Sequence, residues 1–342
     1  MFEKSLDYGF FRELLAEDST SGRERAVAEW LAARLPDLFP ASNRPALRID
    51  EVGDGTLNLL FTWGEPQLVF CTHMDTVPPY IAPSREGDRI CGRDSCDAKG
   101  QLFAMLAACR ELADAGRSGF GLLLLAGEET GSWGAKAFAK TGFRAPYLIV
   151  GEPTDNCMVS ASKGTKSYDL LFRGSAFHSG YPDGGVSAVE LFIGFCNELK
   201  AHDFGEDPEL GMTTWNIGLL RSDNPQNILS PELRCRIFFR TTFRSDAAVQ
   251  AWMALPRERL EVTARGGDTP LRYLTLDGFP AAPAAFGSDA PHLTGFAKKI
   301  ICGPGSIRVA HREEESILTG DLEQAVDQYV RFYYKLLSNN AS

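Results

Sequence analysis

"VFCTHMDTVPP", residues 69–79, begins as an apolar run that reads as a buried strand and ends in a histidine and an aspartate one residue apart, His73 and Asp75. Burying two such polar side chains at the tip of a strand is costly unless something binds them. In open α/β sheets, ligands sit beyond the carboxyl ends of the strands. The residues just after each apolar run elsewhere in the chain therefore bear on both fold and chemistry.

The same arrangement recurs. "GLLLLAG" (121–127) precedes Glu128 and Glu129, "YLIVG" (147–151) precedes Glu152, and His311 comes shortly after the turn that follows "KKIICG" (298–303). Continuous apolar runs bounded by glycine suit strands buried on both faces. Between them, "GRERAVAEWLAARL" (22–35) and "KGQLFAMLAACRELADAG" (99–116) carry apolar residues at helical spacing. The expected fold class is α/β, with a layered domain around a largely parallel central sheet. Asp97, in "GRDSCDAKG" (92–100), falls just before a helix, whose N-terminus favours its ionised form.

After "ASKG" (161–164) the pattern changes to strand, helix, two strands, helix, strand over about 100 residues, the split βαβ plan of a small α+β sandwich. From about residue 270 the first character returns, with "SDAPHLTGFA" (288–297) read as a helix, "KKIICG" as a strand and "TGDLEQAVDQYVRFYYKLL" (319–337) as an amphipathic helix. The expected organisation is a catalytic domain of residues 1–164 and 269–342 with a lid or dimerisation domain, 165–268, inserted into it.

Composition narrows the function. The 342 residues carry 45 acidic and 35 basic side chains, net −10, which disfavours nucleic acid and anionic membranes as partners. The N-terminus lacks the features of a signal peptide, and no apolar run approaches the roughly 20 residues that span a bilayer. The eight cysteines are scattered without a CxxC pair, as in a reduced cytoplasmic protein rather than a disulfide framework.

Adjacent carboxylates such as Glu128 and Glu129 repel each other in an apolar setting unless a cation or a shared proton compensates. Histidines and carboxylates without a thiolate signature suit zinc, with cobalt or manganese as substitutes. There are more donors than one tetrahedral ion takes, so the set reads as a dinuclear site whose two ions share a carboxylate. Cys96, next to Asp97, is a conceivable thiolate alternative, although a buried cysteine is more often a small apolar filler.

"THMDTVP", "GRDSCDAKG", "AGEETGSWGA", "GEPT" and "GPGSIRVAHREEE" follow the order and approximate spacing of motifs in the dinuclear zinc amidohydrolases. That family includes acetylornithine deacetylase, acetylcitrulline deacetylase, succinyl-diaminopimelate desuccinylase, aminoacylase and bacterial glutamate carboxypeptidases, and the chain resembles it over nearly its whole length. The resemblance implies that Asp97 bridges two ions, that His73 and Glu152 complete one shell, and that Glu129 and His311 complete the other. Asp75 would orient His73 through its second nitrogen. Glu128 would be the general base that activates a metal-bridged water and later protonates the leaving amine.

The resemblance also gives roles to the inserted domain. His178 in "RGSAFHSGYP" (173–182) would donate to the oxyanion of the tetrahedral intermediate in the partner's site of a homodimer. Arg240 would grip the substrate α-carboxylate in a bidentate fork, assisted by Asn227, although "ILSP" follows Asn227 where the family has a valine-isoleucine-proline run. Lys163 would contact a second substrate carboxylate or cap the domain junction. His202 is expected at a helix C-terminus, and His292 is read as structural.

The expected activity is hydrolysis of an N-acyl amino acid by a deacetylase of arginine or lysine biosynthesis. Within the same fold the alternatives are a dipeptidase or carboxypeptidase, or an N-succinyl amino acid desuccinylase. Release of lysine from an acidic carrier protein fits a −10 chain poorly. A catalytically silent binding protein would lack a ligand or the base, and none is missing.

Overall fold

The computed structural model describes residues 7–53 and 55–337. The chain divides into two compact units, one of Met1–Ser160 with Tyr273–Ala282 and Ser288–Ser342, the other of Ala161–Arg272 with Pro283–Gly287.

The first unit starts with α1 (Tyr8–Ala16), where Asp7 caps the helix by accepting the Phe10 N–H at 3.1 Å. Its further α-helices and strands before the second unit are α2 (Arg25–Arg34), β1 (Ala46–Gly53), β2 (Thr56–Trp63), β3 (Leu68–His73), β4 (Ser84–Glu86), β5 (Arg89–Cys91), α3 (Lys99–Asp114), β6 (Phe120–Leu125), α4 (Trp133–Ala139) and β7 (Ala145–Val150). β8 (Met158–Ser162) then carries the chain out of it.

The second unit contains β9 (Gly164–Arg173), α5 (Ala188–Ala201), β10 (Thr214–Arg221), β11 (Glu232–Thr241), α6 (Asp246–Met253), β12 (Leu260–Gly266) and β13 (Leu271–Arg272). The chain returns through β14 (Ala281–Ala284) to β15 (Phe296–Ile301), β16 (Ser316–Leu318) and α7 (Thr319–Leu337).

The central sheet of the first unit has the order β1-β2-β6-β3-β7-β15. β6, β3, β7 and β15 run parallel, while β1 and β2 continue the sheet antiparallel at one edge. Every residue of β3 and β6 is buried, as their unbroken apolar sequences require. Register levels the strand ends: His73 pairs with Leu125, and Val150 with both Cys71 and Ile301. The polar residues that follow β3, β6 and β7 consequently emerge at one edge of the sheet.

α3 and α7 pack on each other, and the buried Tyr329 hydroxyl on α7 donates to the Cys302 carbonyl just past β15 at 2.9 Å. Gly134, at the start of α4, is a close approach: a Cβ there would lie 2.4 Å from the Ala126 carbonyl oxygen, so only glycine lets the helix begin directly after the turn that bears Glu128 and Glu129.

Residues 288–297 do not form the expected helix. They make a turn, with the His292 N–H donating to the Asp289 carbonyl at 3.1 Å, and β15 begins at Phe296. Pro291 removes a backbone donor from the middle of the stretch, and Gly295 sits where a Cβ would be 2.0 Å from the Phe143 carbonyl oxygen.

In the second unit the sheet order is β10-β11-β9-β12, with every pair antiparallel. β9 and β10 are thus parallel to each other with β11 between them, which is the split βαβ plan. Strand alternation turns Tyr168, Leu170, Phe172, Leu233, Cys235, Ile237 and Phe239 inward to a core shared with Phe195, Leu199, Val249, Trp252 and Met253 of the two helices. The opposite face carries exposed ion pairs, among them Arg236–Asp169 at 2.6 Å and Arg234–Glu232 at 2.6 Å. Such pairs are worth little each and mark a solvated face.

Candidate metal centre

Two groups of donors meet at the carboxyl edge of the parallel strands. His73, Asp97 and Glu152 form one and Asp97, Glu129 and His311 the other, with the donor atoms of each group within 4.8 Å of one another. Asp97 belongs to both. Its Oδ1 lies 3.2 Å from His73 Nε2 and its Oδ2 3.4 Å from His311 Nε2, while Glu129 Oε1 lies 2.7 Å from His311 Nε2. The first group is buried, whereas the His311 side chain is 44% exposed.

The local backbone explains the placement. His73 is the last residue of β3, Glu129 lies in the turn after β6, and Glu152 is two residues beyond β7. His311 occupies a left-handed backbone position, φ 63°, in the loop between β15 and β16. Asp97 lies just ahead of α3.

Asp75 acts mainly on the backbone. His73 Nδ1 makes its shorter contact, 2.8 Å, with the Asp75 carbonyl oxygen, and the carboxylate is 3.5 Å away. That carboxylate accepts the N–H groups of Glu128 and Glu129 at 2.9 and 3.2 Å and the Ser21 hydroxyl at 2.8 Å. The end of β3 is thereby fastened to the turn that carries the paired glutamates.

The electrostatics are those of crowded carboxylates. Burial raises the Glu152 carboxyl well above its usual range, and the charges of Glu128 and Asp97 add to it. Burial does the same to Glu128, where the attraction of His73 is outweighed and Asp289 and Glu129 add repulsion. Burial opposes charge on Asp97 too, yet its hydrogen bonds to His311 and His73 hold the carboxyl below its usual range. Contacts to Asp97 and Glu129 raise His311 to about 10. Burial disfavours charge on His73, but Asp75 and Asp97 raise it well above an ordinary imidazole. A set of nitrogen and oxygen donors this close, with negative charge in excess, fits two divalent ions sharing one carboxylate. Cys96 belongs to neither donor group, and its buried thiol lies 3.4 Å from the Ser306 carbonyl oxygen.

The other residues singled out in the sequence fall in two places on the second unit. His178 and Asn227 are neighbours: His178 bridges to Ile228, and the Ser179 N–H donates to the Asn227 carbonyl at 2.9 Å. Both are exposed. Arg240 lies on β11 opposite Thr165, close to Lys163, whose ammonium donates to the Met212 carbonyl. Burial, then the charge of Arg240, lowers the Lys163 pKa. His202 caps the C-terminus of α5 and packs against Phe204 and Trp252.

Three buried groups at the centre escape a reading of the sequence. Glu315 reads as the end of an exposed acidic run, "REEE", but is fully buried and linked to Arg93 at 2.6 Å. Asp94 binds the Lys99 ammonium at 3.0 Å and the Ser19 hydroxyl at 2.7 Å. Asp289 is buried where its charge acts on Glu128 and Glu152, and burial raises its carboxyl to about 6. The clustering of Arg93, Asp94 and Lys99 around Asp97 is the available signal for the first two.

Comparison with known proteins places the chain in a family. A Peptidase M20 domain-containing protein of Schizosaccharomyces pombe is 32% identical over 94% of this chain and 82% of its own length. A probable carboxypeptidase of Aspergillus flavus is 31% identical over 94% and 85%. Among solved structures, a tripeptidase from Staphylococcus aureus superposes with a TM-score of 0.81 at 19% identity, covering 96% of this chain and 97% of that one. An M20 family metallo-carboxypeptidase from Sulfolobus solfataricus gives 0.71 at 16%, covering 97% and 98%. The model of peptidase family M20/M25/M40 matches residues 69–338, a span that begins at the strand bearing His73 and takes in every donor of the centre, and the chain belongs to that family.

Proposed function

We propose that the protein is a dinuclear metal hydrolase that cleaves the amide between an acyl group and an amino acid with a free α-carboxylate. The observation that carries this reading is the pair of donor groups sharing Asp97, with Glu128 adjacent to the donor Glu129. Divalent ions bound there, zinc first and cobalt or manganese as substitutes, would polarise the scissile carbonyl and lower the pKa of water from 15.7 towards about 7. Glu128 takes up the proton of the attacking water and delivers it to the departing nitrogen. Asp75 keeps that base in register by holding the Glu128 N–H at 2.9 Å.

Arg240 holds the α-carboxylate, with Lys163 as a further contact from the same chain and Asn227, the neighbour of His178, as one supplied with it by the partner. Converting the α-carboxylate of an N-acetyl amino acid to its amide leaves the guanidinium without its anion and is expected to lower kcat/KM by roughly 10–100-fold. Equal hydrolysis of acid and amide would remove Arg240 from substrate recognition.

The first reading of the substrate is an N-acyl amino acid, as in a cytoplasmic deacetylase of arginine or lysine biosynthesis. A second, carboxypeptidase action on short peptides, is favoured by the name "probable carboxypeptidase" borne by several relatives. A panel of N-acetyl and N-succinyl amino acids and free dipeptides, assayed with added zinc or cobalt, separates them. Faster turnover of dipeptides than of every N-acyl substrate would replace the first reading by the second.

We also infer a homodimer in which His178 serves the partner's site, supported by its lying on the unit that holds none of the five donors. His178→Ala and Glu128→Ala homodimers should both be nearly inactive. Subunit exchange at equal mixing makes half the dimers mixed, each with one intact site, so about a quarter of wild-type activity should return. No recovery after verified exchange would show that His178 does not act in trans.

A further inference from the structure

Glu315 is fully buried and follows the donor His311 by four residues. Its Oε1 accepts the backbone N–H groups of Cys96 at 3.0 Å and of the shared donor Asp97 at 3.1 Å. Its Oε2 accepts from Arg93 Nη1 at 2.6 Å, and Arg93 also donates to the carbonyls of Arg312 at 3.1 Å and Pro79 at 3.2 Å. The Gly92 N–H donates to the Glu315 carbonyl at 3.0 Å. One buried ion pair and its hydrogen bonds thus join the loop that carries Asp97 to the loop that carries His311.

The remaining donors have other supports. His73 ends a buried strand, Glu152 follows another, and the Glu129 N–H is held by Asp75 at 3.2 Å. If the two loops loosen, the His73–Asp97–Glu152 group keeps two donors anchored to the sheet, and the Asp97–Glu129–His311 group keeps one.

We propose that Glu315 and Arg93 are positioning residues that hold Asp97 and His311 in one frame, and that they set the metal affinity of the Asp97–Glu129–His311 site far more than that of its neighbour. This rests on the dinuclear reading of the centre. Glu315→Gln keeps the volume, but its amide NH₂ must face either the two backbone N–H groups or the guanidinium, donor against donor. The buried guanidinium also loses its counter-charge. Removing a group that orients metal ligands typically costs about 10–100-fold in affinity.

The test measures ions per chain. Wild-type and Glu315→Gln proteins, loaded with cobalt(II), are equilibrated against graded chelator and assayed by elemental analysis and visible absorption, with circular dichroism to verify folding. The expected result is that one ion of the variant leaves at a free-metal concentration about 10–100-fold higher than in wild type, while the other leaves as in wild type. Glu315→Asp, which keeps the charge, should fall between. Equal weakening of both ions, or no change in either, overturns the proposal. Should Glu315→Gln not fold, Arg93→Lys, which keeps the charge but replaces donors on the separate Nε and Nη1 atoms with a single nitrogen, is read in the same way. Wild-type protein holding no more than one ion would refute the dinuclear reading and this inference together, a result separate from a failure seen only in the variants.

Discussion

Glu128→Gln is expected to keep both metal ions and to lower turnover by about 10²–10⁴, the usual contribution of a general base. The substitution preserves shape and removes the carboxylate that accepts and returns the proton in the proposed mechanism. Retention of the ions follows from geometry, since Glu128 is absent from both donor groups and its N–H, which survives the substitution, remains available to Asp75. The measurement is kcat with elemental analysis on the same preparation. Unchanged kcat would take Glu128 out of the mechanism, and loss of an ion would make it a ligand instead.

Asp97→Ala should remove both ions and with them all measurable hydrolysis. Asp97 alone belongs to both donor groups, so its loss leaves His73 with Glu152 on one side and Glu129 with His311 on the other. Its carboxylate also lies between two imidazoles, at 3.2 and 3.4 Å, and separates groups that would otherwise repel once protonated. Glu152→Ala or Glu129→Ala, by contrast, should remove one ion each. Purified Asp97→Ala that retains two ions per chain would contradict the shared-ligand arrangement.

Much of this was legible in the linear chain, for reasons that lie in particular residues. The runs before His73 and Glu128 are short, continuous and apolar because their strands are buried on both faces, and the run before Glu152 ends in the buried Leu148, Ile149 and Val150, so that all three announce both the sheet and its carboxyl edge. The split βαβ unit was legible because its two central strands, β9 and β11, alternate cleanly between a core and a solvated face. The stretch 288–297 was not: its apolar residues occur at helical spacing, but Pro291 and the backbone packed around Gly295 exclude a helix.

The sequence by itself determined the α/β class and singled out the five donors His73, Asp97, Glu129, Glu152 and His311, since both depend on residue type and on spacing along the chain. The tertiary structure decided which of those side chains meet. Parallel register brings the ends of β3 and β7 level, and the His311 loop comes to Asp97 from more than 200 positions away, distances that no local periodicity encodes. It also decided burial: Glu315 and its neighbours Glu313 and Glu314 are the same residue type in one run, yet only Glu315 is turned inward onto Arg93 and the backbone of Asp97. A charge in a polar run gives no sign of the partner that makes its burial tolerable, because that partner, here Arg93, lies in a distant segment and is brought to it only by the fold.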